Sequence, residues 1–227
     1  MVSGFARFGI VNAFVVLGLS QVVATDALGY RDFQLGSSVA SVRVLTTAAE
    51  RDLYTLYARP AMLQLLEWRL PRPSGESSSA DPVRQVSFNF VDDQLFRIAV
   101  SYDENRTAGL TRADMVSALE TTYGERVASI RQIRTGNDSE DSAPVVAQWR
   151  GDDTVVSLQH ISYLDGYRLL VTSPRLELMA RNAKTAALVL ESREAPARAA
   201  AVLKQQADQD RAAADKARTT NKAAFRP

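Results

Sequence analysis

The stretch "VSFNFVDDQLFRIAVSY", residues 86–102, decides the fold of this 227-residue chain. Apolar residues alternate with polar ones on both sides of Asp92 and Asp93, which is the pattern of two half-buried strands of an antiparallel pair. Two residues between such strands form a tight turn. The stretch therefore predicts a β-hairpin with both aspartates at its tip. Adjacent strand side chains point to opposite faces, so these carboxylates converge poorly as a catalytic pair.

Further runs with the branched and aromatic composition of strands flank this hairpin on both sides. They occupy residues 51–60, 61–70, 126–134, 143–151, 153–162 and 167–173. Turn signals separate several of them, notably Gly151-Asp152 and Asp165-Gly166. An Asp-Gly pair is a strong hairpin signal because both turn positions require a positive φ angle. Short connections of this kind predict antiparallel pairing.

Two segments carry the signals of short helices. Residues 36–38, Gly-Ser-Ser, precede Val39 and Val42, and a serine cap followed by apolar residues three apart predicts a helix. Thr111 is placed to cap a second helix, which Gly124 ends. Each helix comes directly before a group of predicted strands.

The C-terminal part of the chain has a different character. Ser173 and Pro174 are typical of a helix start. The predicted apolar stripe of this helix consists of Leu176, Met179, Ala183, Ala187 and Leu190. Beyond Pro196 the sequence is rich in alanine and charged residues, with high helix propensity and few large apolar groups.

The predicted fold class is α+β, with two tandem units that each combine a helix with a four-stranded antiparallel sheet. The first unit covers residues 31–104 and the second covers 105–173. A packing helix over 174–195 and an exposed helical or disordered tail over 196–227 follow as a C-terminal helical extension. The repeated order of helix and strands indicates an internal duplication.

The entries "LGSS" (35–38) and "GLTR" (109–112), and a helix that ends in "YG" (123–124), carry a family resemblance. This pattern resembles the small modules of the outer-membrane assembly lipoprotein (SmpA/OmlA) type. The tandem arrangement is similar to the β-lactamase inhibitor protein fold. The resemblance implies an exported, non-catalytic binding scaffold, and it transfers no functional residue to this chain.

The N-terminus has the three parts of a secretory signal peptide. Arg7 gives a short positive region, residues 8–19 form an apolar run, and Val22-Val23-Ala24 is a small-residue cleavage site. We therefore expect removal of residues 1–24 and a periplasmic or extracellular location in a bacterium. A retained membrane anchor is the alternative, although the run is shorter than the roughly 20 residues that span hydrocarbon. After cleavage no membrane span is predicted.

Composition argues against several classes of function. Basic and acidic residues number 27 and 26, a net charge of +1, so no strong field attracts nucleic acid. The absence of cysteine excludes thiol catalysis and thiolate metal sites. The single histidine, His160, cannot form a histidine-rich metal site, and no phosphate, dinucleotide or zinc motif is present. Neither a cofactor nor a metal is predicted.

The remaining hypothesis is a non-enzymatic protein-binding or envelope-accessory role with an unknown protein partner. Large aromatic side chains dominate protein interfaces when they are exposed. The candidate protein-binding residues are Tyr54, Tyr57, Trp68, Trp149 and Phe225. Core positions are the alternative for the strand aromatics. A small hydrolase that uses His160 is the alternative function, and the sequence does not indicate the oligomeric state.

Overall fold

A computed structural model gives the structure of the chain and describes residues 29–70, 81–128, 143–161 and 166–226. Its elements are α1 Val39–Thr46, a 3₁₀ turn Glu50–Asp52, β1 Leu53–Tyr57, β2 Leu63–Trp68, β3 Val83–Val91, β4 Gln94–Tyr102, α2 Glu104–Thr107, α3 Arg112–Tyr123, β5 Val145–Arg150, β6 Val155–Ile161, β7 Gly166–Thr172 and α4 Pro174–Ala224. All strand pairings are antiparallel, so the predicted α+β class is confirmed.

The predicted hairpin is the pair β3–β4, with Asp92 and Asp93 at its tip. Their φ angles of 45° and 63° are positive, as a tight turn between twisted strands requires. Asp93 Oδ1 accepts a hydrogen bond of 2.8 Å from the N–H of Val39, the first residue of α1. Asp92 Oδ1 accepts one of 2.8 Å from the N–H of Met62, just before β2. The two carboxylates therefore connect the turn to its neighbours.

The strands lie in the order β1-β2-β3-β4-β7-β6-β5. The pairing of β4 with β7 joins residues 97–101 to residues 168–172 and unites the two halves of the chain in one sheet. In the described residues the first half contributes four strands and the second half three. The predicted strand over 126–134 lies mostly outside the described residues, so the four-plus-four arrangement is not confirmed.

The main hydrophobic core lies between one face of the sheet and the helices α1 and α3. Val42 of α1 and Val116 of α3 are buried in it. The largest fully buried side chains of this core are Trp149, Phe88, Phe90, Leu66, Leu95, Ile98, Leu158 and Leu169. Because α1 and α3 share one continuous core, the two halves of the chain are packed as a single body.

The predicted caps of α3 are present. The Thr111 side chain accepts from the N–H of Asp114, and the Asp114 carboxylate accepts from the N–H of Thr111, which forms a complete capping box. Gly124 follows the helix with a φ angle of 78°. Its carbonyl accepts a 3.0 Å hydrogen bond from the indole N–H of Trp149. The helix end is thereby fixed against β5.

The first turns of α4 cover the opposite face of the sheet. Leu176 and Ala180 form a smaller core with Leu63 of β2 and Val91 of β3. The predicted stripe is wrong at Met179, which is 42% exposed. Glu177 is buried in its place, because it forms an ion pair with Arg97 of β4 that fixes the rotation of the helix.

Helix α4 is 51 residues long, which corresponds to about 76 Å. Its last buried residue is Ala187, and the helix continues through Pro196 to Ala224. Residues 174–195 and 196–224 therefore belong to one helix. In the described part of the chain, no helix has both the length and the apolar character needed to cross a bilayer.

Candidate functional site

The distal part of α4, residues 195–224, is called the arm here. Every side chain of the arm is exposed, including Val202 at 62% and Leu203 at 68%. Most helices in proteins gain their stability from tertiary packing, whereas the arm depends on its own helix propensity. The arm consequently offers a surface about 45 Å long to a partner.

One ion pair shows where the arm leaves the sheet. Arg59, in the loop between β1 and β2, donates from Nη2 to Oε2 of Glu194 at 2.9 Å. Both side chains are partly exposed, so the contact adds little stability, but it records where the helix passes. The arm begins at the next residue and leaves the domain beside the β1–β2 loop.

Strand β1 is an edge strand with an unusually apolar exposed surface. Within the described ranges it pairs only with β2. Tyr54 is 48% exposed, Leu56 is 51% exposed and Thr55 between them is also exposed. An edge strand of this kind carries unpaired backbone groups that accept another strand. Met62 in the following loop, 44% exposed, extends the apolar surface.

The other edge strand, β5, is different. The N–H of Val127 donates to the carbonyl oxygen of Gln148 at 2.8 Å along the outer side of β5. Trp149 of this strand is buried, and Arg150 places a charged group at its end. The β5 edge is thus partly covered and less suited to pairing with another chain.

The predicted aromatic residues fall into two groups. Trp149 is 1% exposed in the main core, where its ring centroid lies 5.9 Å from that of Tyr123. Trp149 is therefore a core residue, the alternative given for the strand aromatics. Trp68 packs edge-on against Phe33 at 5.8 Å, and Tyr57 packs partly buried beside α4. These three side chains have structural roles in the described packing.

The exposed group consists of Tyr54 on the β1 edge and Phe225 directly after α4. The Phe225 side chain is 73% exposed. These two residues lie on two separate elements. Leu56 and Met62, which are exposed at the same edge as Tyr54, were not among the predicted binding residues. The available signal was the run "LYTLY", which lacks the polar alternation of a strand with one solvated face.

His160 of β6 lies at an open cleft of about 400 Å³ between α3 and the β5–β6 pair. Its ring contacts Tyr167 edge-on at 5.3 Å. The cleft is lined by Arg112, Ala113, Val116, Arg126, Pro144, Val145, Val146 and His160. Those lining residues include no serine, threonine or carboxylate. The described lining of the cleft thus supplies none of the usual hydrolase nucleophiles beside His160.

The perturbed ionisable groups are structural. Burial raises the pKa of Tyr102 to about 12 and that of Tyr123 to about 12, and it raises the pKa of Tyr30 well above its ordinary value. The hydroxyl group of Tyr123 donates to the carbonyl of Gly29 at 3.1 Å. Hydrogen bonds from Thr111 lower the pKa of Asp114. None of these shifts brings a group toward neutral pH, where a general acid or base works best.

Acidic and histidine side chains would be the metal ligands of a chain that contains no cysteine. Among the residues that the structure describes, no group of three or more such side chains converges on a point that could hold a metal ion. The exposed β1 edge and the arm are thus the features with the strongest geometric case for a function.

Comparison with known protein families, with curated proteins and with solved structures finds no match for this chain.

Proposed function

We propose that this chain is an exported, non-enzymatic protein-binding or envelope-accessory protein that contacts a protein partner through the arm. The observation that carries the proposal is the arm, residues 195–224 of α4, in which every side chain is exposed. A helix of this length without packing is suited to binding along its side.

The charge and shape of the arm define the kind of partner. From residue 197 onward the chain has seven basic and three acidic side chains, and many of the remaining residues are alanine. Small residues allow a second helix to approach closely, and Val202 and Leu203 give one apolar contact point. A helical partner with an acidic face matches these properties.

A binding experiment with two forms of the protein tests this proposal. The chain from residue 25 onward and a form that ends at Glu194 are immobilised and exposed to envelope extract, and bound proteins are identified by mass spectrometry. We expect one specific partner with the longer form and none with the shorter form. The double change Val202→Ala, Leu203→Ala should weaken capture, whereas Leu178→Ala outside the arm, 57% exposed, should not. Equal capture by both forms would contradict a role for the arm.

Export is a separate part of the proposal. It rests on the positive, apolar and small-residue segments of residues 1–24, which precede the described residues. Mass spectrometry of the protein produced in its bacterial host measures the outcome directly. A mass that lacks residues 1–24 supports a periplasmic or secreted protein, and a full-length mass in the membrane fraction supports a retained anchor.

We further propose that the two halves of the chain are related units of the SmpA/OmlA type of module. Support comes from α1 and α3, which pack into the same core, and from β4 and β7, the last strands of their halves, which pair with each other. The hydrogen bond from the Val127 N–H to the Gln148 carbonyl, beside β5, is consistent with a further strand in the second half. Slow amide exchange over residues 128–134 would support this strand, and fast exchange throughout would count against it.

A further inference from the structure

We propose that the cleft beside His160 binds a small organic carboxylate, a ligand with one negative charge and an apolar body. This inference concerns a different surface from the arm and does not depend on the proposed function. The cleft lies between the start of α3, the start of β5 and the end of β6. Its volume of about 400 Å³ is within the range of small-molecule sites. Its described lining combines cationic side chains with apolar ones.

Two arginines supply the positive charge of the cleft. None of the ion pairs within the described residues involves Arg112, the first residue of α3. Arg126 lies in the connection from α3 to β5 and donates from Nη1 to Oε1 of Glu120 at 3.2 Å. A guanidinium group carries five N–H donors, so Arg126 keeps donors for a ligand beside this ion pair. Two guanidinium groups and one paired carboxylate leave one positive charge in excess, which matches a monoanion.

The place of Arg112 on α3 strengthens the positive potential. The first turn of a helix carries a partial positive charge, so an anion is favoured there and an arginine is not. Asp114 in the same turn forms the capping box with Thr111 and is not among the described residues that line the cleft. That described lining contains no acidic side chain. A carboxylate ligand would therefore neutralise a charge that the described part of the fold leaves uncompensated.

The apolar part of the lining comes from α3 and β5. Val116 of α3 is buried, and Val145 and Val146 at the start of β5 are partly buried. The carbonyl of Pro144 accepts a 3.0 Å hydrogen bond from the backbone N–H of His160, which holds the two strand ends together. These side chains place apolar surface beside the guanidinium groups. A ligand that fills the cleft therefore needs an apolar body as well as a charge.

His160 contributes a polar side chain to the same lining. Its ring packs edge-on against Tyr167, with the ring centroids 5.3 Å apart, which restricts its orientation. Either nitrogen of an imidazole ring can take part in a hydrogen bond. We assign His160 a role in orienting the ligand, because the described lining contains no nucleophile for it to activate.

A titration of the full chain with benzoate, followed by NMR spectroscopy, tests the site. Benzamide is the matched ligand, because it has nearly the same shape and no charge. We expect benzoate to shift the resonances of Val116, Val145 and His160, and benzamide to bind about tenfold more weakly. Inorganic phosphate lacks the apolar body and should also bind more weakly than benzoate. Equal binding of benzoate and benzamide, or tighter binding of phosphate, would overturn the proposal.

Variants of the charged residues give a second measurement. Arg112 is exposed, so Arg112→Gln leaves the packing of α3 intact. It should raise the dissociation constant for benzoate about tenfold. Arg51→Gln is the matched control and should leave the constant unchanged. The Arg51 side chain is 87% exposed and precedes β1, at the opposite end of the strand order from β5.

The change Glu120→Gln should act in the opposite direction. It removes the carboxylate that competes with a ligand for Arg126, so the dissociation constant should fall about twofold or more. A change that only disturbs packing does not tighten the binding of an anion. This variant thus separates a ligand contact of Arg126 from a structural role.

Three results would refute the inference. The first is a titration in which benzoate shifts no resonance of the residues that line the cleft. The second is an equal loss of affinity in Arg112→Gln and Arg51→Gln, since the guanidinium group in the cleft would then have no special role. The third is weaker binding by Glu120→Gln than by the native chain, since the charge balance of the cleft would then not govern affinity.

Discussion

The buried tyrosines make the folded protein sensitive to alkali. Tyr102 ends β4 beside the main core, and desolvation by burial, aided by the nearby Tyr123, raises its pKa from 10.0 to about 12. Between these values the unfolded chain releases the phenol proton while the folded chain keeps it. The unfolded state then binds fewer protons, so the free energy of unfolding falls as the pH rises through this window. At pH 8 both states are protonated and the effect is absent.

The size of the effect follows from the shift. For one tyrosine whose pKa moves from 10 to 12, the loss of stability is about 1.4 kcal/mol at pH 11 and about 2.3 kcal/mol at pH 12. The change Tyr102→Phe keeps the ring but removes the proton, so it removes this loss. We expect the variant to lose about 1.4 kcal/mol less than the native chain between pH 8 and pH 11.

Urea unfolding followed by tryptophan fluorescence at both pH values measures the difference. Tyr54→Phe is the matched control, because its ring lies exposed on β1 and not in the core. This control should lose as much stability as the native chain. If Tyr102→Phe and the native chain lose equal stability between pH 8 and pH 11, burial does not protect the Tyr102 proton and the reasoning is wrong.

Three further changes test the packing by urea unfolding. Trp149→Ala should lower the free energy of unfolding by about 3–5 kcal/mol, because it empties a fully buried site and removes the hydrogen bond to Gly124. Arg97→Met should lower the free energy of unfolding by about 3 kcal/mol, because it leaves the buried Glu177 carboxylate without its partner on β4. The double variant Arg97→Met, Glu177→Leu should recover most of that loss, because it also removes the buried charge. Thr111→Ala should cost about 1 kcal/mol through loss of the α3 cap.

The elements predicted well from the sequence are those fixed by local chemistry. Alternation on both sides of Asp92 and Asp93 predicted the β3–β4 hairpin, and Thr111 predicted the start of α3. In each case the signal and the structure it specifies lie within a few residues of each other. A capping hydroxyl or a turn residue acts on its own neighbours, so one sequence is sufficient to recognise it.

The order of the strands was not predictable in the same way. The β4–β7 pair joins Arg97 to Thr172 across the whole second half of the chain, and no local pattern specifies that contact. Strand order decides which strand is an edge. The exposure of Leu56 beside Tyr54 was therefore missed, although the apolar character of β1 is visible in the sequence.

The length of α4 shows a different limit of prediction from the sequence. Proline inside a helix removes one hydrogen bond and strains the preceding turn, so the sequence predicted a boundary at Pro196. The structure continues the helix through it. Alanine-rich segments on both sides have high helix propensity, and the carbonyl left without a donor lies at an exposed turn where water can hydrate it.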